Sequence, residues 1–475
     1  MQRKTKIIAT LGPSTDSEHV MRRILQAGVN IVRVNFSHGD ASQHRQRIRL
    51  ARESARAEGI TLGILGDLQG PKIRIEKFRS GSVTLKEGQR FTLDVDQDPD
   101  AGDEHGVAVS YPELPDDVRN GQVLMLSDGA IAMQVVAVEG RKVRCEVMIG
   151  GQLDSRQGLN LRGGGLSAAG LTEKDYDDIR FAAEEQLDFL AVSFPRSARD
   201  MQAARRFARQ SGCDARLVAK VERAEAVEDL DNIIEASDVV MVARGDLGVE
   251  IGDAELPGEQ KRIISAAREG NRMVITATQM MESMISEPIP TRAEVLDVAN
   301  AVLDGTDAVM LSAETAVGAH PIKTVQAMSR ICVGAERGTT APRMITGMDR
   351  HFRKTDEAIA MATMYTASHM GADAIVSLTE SGTTALLMSR QDTRVPIYAM
   401  TQYQRSCNYL AMCRGVYPVH FIPTELLGIL PMREALQKLK ELGLLKDGDR
   451  VLITKGDYRG PGGTNAMKIA TVGEL

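Results

Sequence analysis

In "LVAKVERAEAV" (217–227) an ammonium, Lys220, and a carboxylate, Glu222, stand two residues apart at the end of an apolar run. Side chains alternate along a strand, so the two point to one face. Other apolar runs end the same way: Arg33, Asn35, Ser37 and His38 close one, and Asp67 closes another, followed by Gln69, Lys72 and Arg74. Arg244 and Asp246, Thr278 and Gln279, and Ser312 and Glu314 close three more. Glu222 and Asp246 have no His or Cys nearby in sequence, which suits a hard cation such as Mg2+ (or Mn2+) held by one or two carboxylates. Arg33, Arg74 and Lys220 then call for an anion with phosphate-like oxygens. Lys220 beside a metal-binding Glu is the point charge for a phosphoryl group in transfer. In "ARGDLGVEIG" Gly245 lets backbone approach closely, and the amides after it can hold a carboxylate. Taken singly these signals are weak. Lys220–Glu222 alone reads as a neutralised pair, Thr278 equally as an ordinary strand-end hydroxyl, Ser312 and Glu314 equally as helix caps. His38 suits packing or capping better than a ligand or base. Six strands ending in polar groups at one rim make a site.

The elements that must carry these residues are eight near-continuous Val/Ile/Leu/Ala runs: 6–13, 30–38, 62–71, 188–194, 216–222, 239–248, 273–279 and 307–314. Such runs are what parallel strands covered on both sides require. Most are followed by a helical pattern. Before the last, Thr291 and Glu294 form a capping box, and Val295, Val298, Ala299, Val302 and Leu303 make one apolar stripe. Eight βα units predict a (β/α)8 barrel, whose chemistry sits at the carboxyl ends of the strands. The stretch between the third and fourth runs instead alternates in short pieces split by Gly and Asp turns, the mark of antiparallel β structure. It predicts an all-β domain inserted over the carboxyl end, where it can act as a lid. After a linker at 336–350, four further strands alternate with helices. The expected division is a barrel over 1–70 and 166–345, a lid over 71–165, and an open α/β domain over 346–475.

Of the 475 residues 43% are hydrophobic and 26% charged, with no Trp and 23 Met, so the cores must be aliphatic. A net charge of -6 argues against a nucleic-acid partner. Five scattered Cys without a C-x-x-C pair read as reduced thiols, and no apolar run is long enough for a signal sequence or a membrane span. A cytoplasmic protein is expected.

The segments "ATLGPST", "VRVNFSHG", "GDLQGPKIR", "VAKVERAEAV", "VMVARGDLGVEIG", "TATQMMESM" and "PTRAEVLDVANAVLDGTDAVMLSAET" closely resemble, in order, those of pyruvate kinase, its bacterial forms of the second type most of all. The resemblance covers essentially the whole chain. It implies transfer of the phosphoryl group of phosphoenolpyruvate to ADP, giving pyruvate and ATP. By that resemblance Arg33 grips the substrate phosphate, Lys220 stabilises the moving phosphoryl group, and Glu222 and Asp246 hold Mg2+. The amides of Gly245 and Asp246 receive the pyruvate carboxylate, Thr278 stands at the carbon to be protonated, and Ser312 and Glu314 match positions that relay the proton. Asn35, Phe36, Ser37, His38 and Arg74 match nucleotide contacts.

Two departures matter. Many relatives have Glu where this chain has Lys72, and they need K+ at a site matching Asn35, Ser37, Asp67 and the Leu68 carbonyl. A fixed ammonium there predicts that K+ is not required. The nucleotide-contacting lysine after the lid is not evident either, and "LNLRGGG" offers Arg162 instead. In the last domain Thr379, Ser381, Gly382, Thr383 and Thr384, with the Gly-rich stretch 455–465, match an effector region for a phosphorylated metabolite, a sugar phosphate or AMP. The resemblance also implies a homotetramer. Two other readings stand beside it: a Mg2+-dependent barrel lyase acting on pyruvate-like enolates, and a non-catalytic metabolite-sensing protein.

Overall fold

The computed structural model describes residues 2–338, 351–425, 428–456 and 463–474, so most of the expected linker lies outside the described residues. The eight apolar runs form eight parallel strands: β1 (Lys6–Thr10), β2 (Ile31–Asn35), β3 (Gly63–Asp67), β4 (Phe189–Val192), β5 (Arg216–Val221), β6 (Val239–Ala243), β7 (Met273–Ala277) and β8 (Ala308–Leu311). They close in that order, with β1 pairing both β2 and β8. Nearly every strand residue is buried, because one face packs on the outer helices and the other fills the barrel. The inward face, including Ile8, Phe189, Met241 and Ile275, joins one continuous core with Met364, Ile375 and Leu410 of the C-terminal domain. That domain therefore plugs the amino end of the barrel and leaves the carboxyl end for chemistry.

The Thr291–Glu294 capping box opens helix Arg292–Asp304 as expected. Its apolar residues divide between two directions. Val298 and Val302 are buried, whereas Leu303, placed in the buried stripe by its spacing, is 44% exposed, beside Leu296 at 65%.

Between β3 and β4 lie a six-stranded and a two-stranded sheet within residues 82–161. One pair departs from the expected antiparallel plan: Arg90–Asp94 and Gly106–Ala108 run parallel. The inserted domain reaches the barrel rim through Lys72, whose ammonium pairs with Asp246, and through Gly163, whose amide donates to the Glu250 carbonyl. Its entry is set by Gly70, at φ +67°, where a Cβ would stand 2.8 Å from Ser193 Cβ and 2.9 Å from Ser193 O. Gly163, at the exit, has φ +85° but nothing within 4 Å. Gly70→Ala is therefore expected to cost about 2 kcal/mol or more, and Gly163→Ala only its backbone strain of about 1 kcal/mol. Denaturant titration of both variants checks the difference, and only Gly70→Ala should also lower kcat.

The C-terminal sheet has strand order Val416–His420, Ile397–Thr401, Ala374–Leu378, Arg450–Gly456 and Thr464–Thr471. The first four were expected. The fifth, "TNAMKIAT", pairs antiparallel at the edge and is only half buried, so its polar content fits an edge position. All five cysteines are buried free thiols.

Candidate active site

The parallel register brings the polar strand ends together at one rim. β5 ends at Val221, which leaves the side chains of Lys220 and Glu222 on the same side, 2.9 Å apart from Nζ to Oε1. Lys220 is 12% exposed and also lies 3.4 Å from Asp67, at the end of β3. Asp67 in turn accepts from Arg33 Nε at 2.6 Å, and Arg33 Nη1 donates to Thr10 Oγ1 at 3.1 Å. Ser193, just past β4, completes the cluster. Its hydroxyl accepts from Lys220 Nζ at 2.7 Å and donates to the Leu68 carbonyl at 2.8 Å. Nothing in the sequence marked Ser193 or Thr10, since a hydroxyl at a strand end is common. Phe194 follows in the left-handed region, φ +56°, and its amide donates to Glu222 Oε2 at 2.8 Å.

Charge balance here is set by burial. Burial raises the Asp67 carboxyl, but Lys220 and Arg33 outweigh it and hold Asp67 below the ordinary range. Burial disfavours the Lys220 ammonium, yet Asp67 and Glu222 raise its pKa above the usual lysine value. Glu222 is pushed up to about 7, first by burial and then by Asp246 and Asp67, against the pull of Lys220.

Asp246 lies in the first turn of helix Arg244–Ile251, directly after β6. Across from it, at the end of β7, Thr278 and Gln279 have φ +66° and +52°. A β-branched residue in that region is strained. Arg244 holds the corner: it pairs with both oxygens of Asp297 at 2.6 and 2.8 Å and donates to the carbonyls of Thr278 (2.7 Å) and Gln279 (3.0 Å). Thr278 Oγ1 donates to the Ala277 carbonyl at 2.6 Å and accepts from the Gly245 amide at 2.8 Å. The amide expected to receive a substrate carboxylate is thus engaged by Thr278. A Cβ on Gly245 would meet only Thr278, at ordinary contact distance.

Other candidates fall at varying distances from this centre. Asn35 accepts from the Ser37 amide and shapes the turn after β2. The ring of Phe36 is 1% exposed and packs edge-on to His44 and Phe181, so only its backbone faces the rim. His38 is exposed, so of the packing or capping role its sequence context suggested, packing does not hold. Arg74 donates to the Arg156 carbonyl within the inserted domain, and Arg162 is exposed. Lys72 donates to Asp246 Oδ1 at 2.9 Å, so its charge lies on one of the two carboxylates expected to hold the metal. The Glu314 carboxylate turns back to accept from the Ser312 amide at 2.6 Å. Burial raises its pKa, against several backbone donors.

In the C-terminal domain Gly382 (φ +85°) turns the chain into helix Thr383–Ser389. Thr379 Oγ1 accepts from the Gly382 amide, Ser381 and Thr383 share a hydrogen bond, and Thr384 bonds Thr464. Residues 457–462 of the Gly-rich stretch lie outside the described residues.

The rim residues fit a divalent cation of the Mg2+ kind. No group of three or more His, Cys, Asp or Glu among the described residues could hold a metal alone. Glu222 and Asp246 are near enough that Asp246 adds to the upward shift burial imposes on Glu222, and they supply the two oxygen donors that an ion completing its shell with water or substrate needs.

Two family models match the chain: "Pyruvate kinase, barrel domain" over residues 2–325 and "Pyruvate kinase, alpha/beta domain" over 357–470. "Pyruvate kinase II" of Salmonella typhimurium is 53% identical over 475 residues, spanning 99% of each chain. A "Pyruvate kinase" of Haemophilus influenzae is 52% identical, spanning 96% of each, and one of Bacillus licheniformis is 37% identical over 100% of this chain and 81% of its own. None of these supports the lyase alternative.

Proposed function

The chain belongs to the pyruvate kinase family, and we propose how its barrel rim divides the labour of that family's reaction, phosphoryl transfer from phosphoenolpyruvate to ADP. The observation that carries the proposal is the Lys220 ammonium, 2.9 Å from Glu222 and 3.4 Å from Asp67, in a pocket whose carboxylates extend to Asp246. Arg33, positioned by Asp67 and Thr10, binds the substrate phosphate. Lys220, positioned by Ser193, stabilises the phosphoryl group as charge spreads over its oxygens. Glu222 and Asp246 hold Mg2+, which when bound neutralises phosphate charge. The Asp246 amide, joined by that of Gly245 once it exchanges Thr278 for substrate, receives the carboxylate. Thr278 then stands at the carbon to be protonated, with Ser312 and Glu314 behind it. Asn35, Ser37, His38, Arg74 and the backbone of Phe36 contact the nucleotide, and the inserted domain closes over both substrates to exclude water.

Lys72 distinguishes this chain from K+-requiring relatives, because its ammonium already supplies a fixed positive charge at the rim. Activity is expected without K+, and Lys72→Glu is expected to make it depend on K+. Assays with K+ replaced by a large organic cation decide this. We place a phosphorylated effector, a sugar phosphate or AMP, at the 379–384 loop. A homotetramer follows from the family resemblance alone, and the buried free thiols suit the cytoplasm. Steady-state kinetics with phosphoenolpyruvate and ADP, across phosphorylated sugars and AMP, with and without K+, test the whole reading. Absence of ADP-dependent pyruvate formation overturns it.

A further inference from the structure

Where the C-terminal domain docks on the amino end of the barrel, a cavity of about 280 Å³ remains at the seam. Its lining draws cations from four separate segments. Lys4 precedes β1, Arg268 lies in the last turn of helix Leu256–Glu269, Arg394 precedes strand Ile397–Thr401, and Arg414 follows helix Gln404–Leu410. One carboxylate, Asp392, lines the same space.

The donors of two of these cations go to groups without formal charge. Lys4 donates to the Thr393 carbonyl, and Arg268 donates to the carbonyls of Gly305 (2.9 Å) and Arg390 (2.8 Å). Arg414 stands 4.0 Å from Glu336, which also receives the Lys4 amide. Burial, with neighbouring cations adding to it, shows in the ionisation of the group. Burial lowers the pKa of Lys4, with Arg414 and Arg394 lowering it further against Asp392 and Glu336. Burial and then Arg390 bring Arg268 down to about 10. The rings of Tyr398 and Tyr417, 6.0 Å apart, form the less polar wall.

We propose that this seam binds a small phosphorylated metabolite, its phosphate among Lys4, Arg268 and Arg414 and its carbon skeleton against the two tyrosines. A doubly charged oxyanion matches guanidinium and ammonium donors converging from several directions. The volume lies just under the usual range of about 300–1,000 Å³ for ligand pockets, which admits a small metabolite and excludes a nucleoside triphosphate. The site is separate from the 379–384 loop and from the barrel rim, and it does not depend on the catalytic reading. Because both domains line it, the ligand favours the docked arrangement.

Equilibrium dialysis with radiolabelled glycerol 3-phosphate, with unlabelled glycerol as competitor in a parallel run, provides the test. Wild type should bind at the seam, and glycerol should not compete. Lys4→Gln combined with Arg394→Gln should lose one site or weaken it at least tenfold while kcat stays unchanged. Equal stoichiometry and affinity in wild type and the double variant overturn the proposal. A second measurement needs no variant: wild-type crystals soaked in selenate should show an anomalous peak within reach of Lys4, Arg268 and Arg414. Peaks confined to the barrel rim or the 379–384 loop, or no peak, overturn it as well.

Discussion

Lys220→Met is expected to lower kcat by a factor of about 10³ or more while divalent-metal binding persists. The range follows from preorganised charge at phosphoryl transfer, where one positive group is worth about 10³–10⁵ in rate. Methionine keeps most of the length of the side chain and removes the ammonium with its charge and its bond to Ser193, and Glu222 and Asp246 remain to hold the ion. The variant also loses stability. Removing one partner from a buried ion pair costs about 3–5 kcal/mol when the other stays charged, and here two carboxylates, Asp67 and Glu222, lose their shared partner. The pH dependence has a definite sign. Asp67 is held below its ordinary pKa, with Lys220 the largest of the opposing charges. Its contribution to stability is therefore present above the unfolded carboxyl pKa of about 4 and is lost as pH falls through the lower folded value. Without Lys220 that acid limb should move to higher pH. Kinetics, Mn2+ titration and acid unfolding measure the three effects. A folded variant retaining kcat within tenfold of wild type would remove Lys220 from the chemistry.

The barrel was legible because its strands are buried on both sides, and continuous Val, Ile, Leu and Ala runs have few other homes. The same cause hid the edge strand Thr464–Thr471, whose half-exposed residues include Asn465 and Lys468 and break any apolar run. The pairing of Lys220 with Glu222 was readable from alternation alone. Its extension to Asp67, Arg33 and Ser193 was not, because those residues come from β2, β3 and the end of β4 and meet only through barrel closure. Lys72 shows the limit most clearly. Its type announced an extra positive charge near the monovalent-cation region, but only the fold of the inserted domain directs that charge onto Asp246. The strain at Thr278 was likewise invisible, since nothing in "TATQ" announces a positive φ. What sustains it is Arg244 at the start of helix Arg244–Ile251 and Asp297 of helix Arg292–Asp304, two segments remote in sequence.

Arg390→Met, far from the rim, is expected to be among the most destabilising single substitutions, by about 3–5 kcal/mol. Arg390 Nη1 and Nη2 meet the two oxygens of Asp307 at 3.0 and 2.5 Å, at the base of β8, and Nη1 also donates to the Arg272 carbonyl. Both side chains are buried. Asp307 in turn accepts from the Val274 amide of β7 at 2.9 Å and from the Arg414 amide at 3.0 Å, so one carboxylate ties two barrel strands to the C-terminal domain. Burial raises the Asp307 carboxyl, and Arg390 outweighs it and holds it low. Stability from this pair is therefore complete above a pH of about 4 and is lost on further acidification. In Arg390→Met the carboxylate loses that protection, so acid unfolding should begin at higher pH. Adding Asp307→Asn should recover part of the loss, because no buried charge is then stranded, and the two effects should sum to more than the double variant shows. Denaturant unfolding of wild type, both single variants and the double variant measures the coupling. Strict additivity would show that the seam is held by its apolar core alone, and the Met364–Ile375–Leu410 packing would then carry the docking.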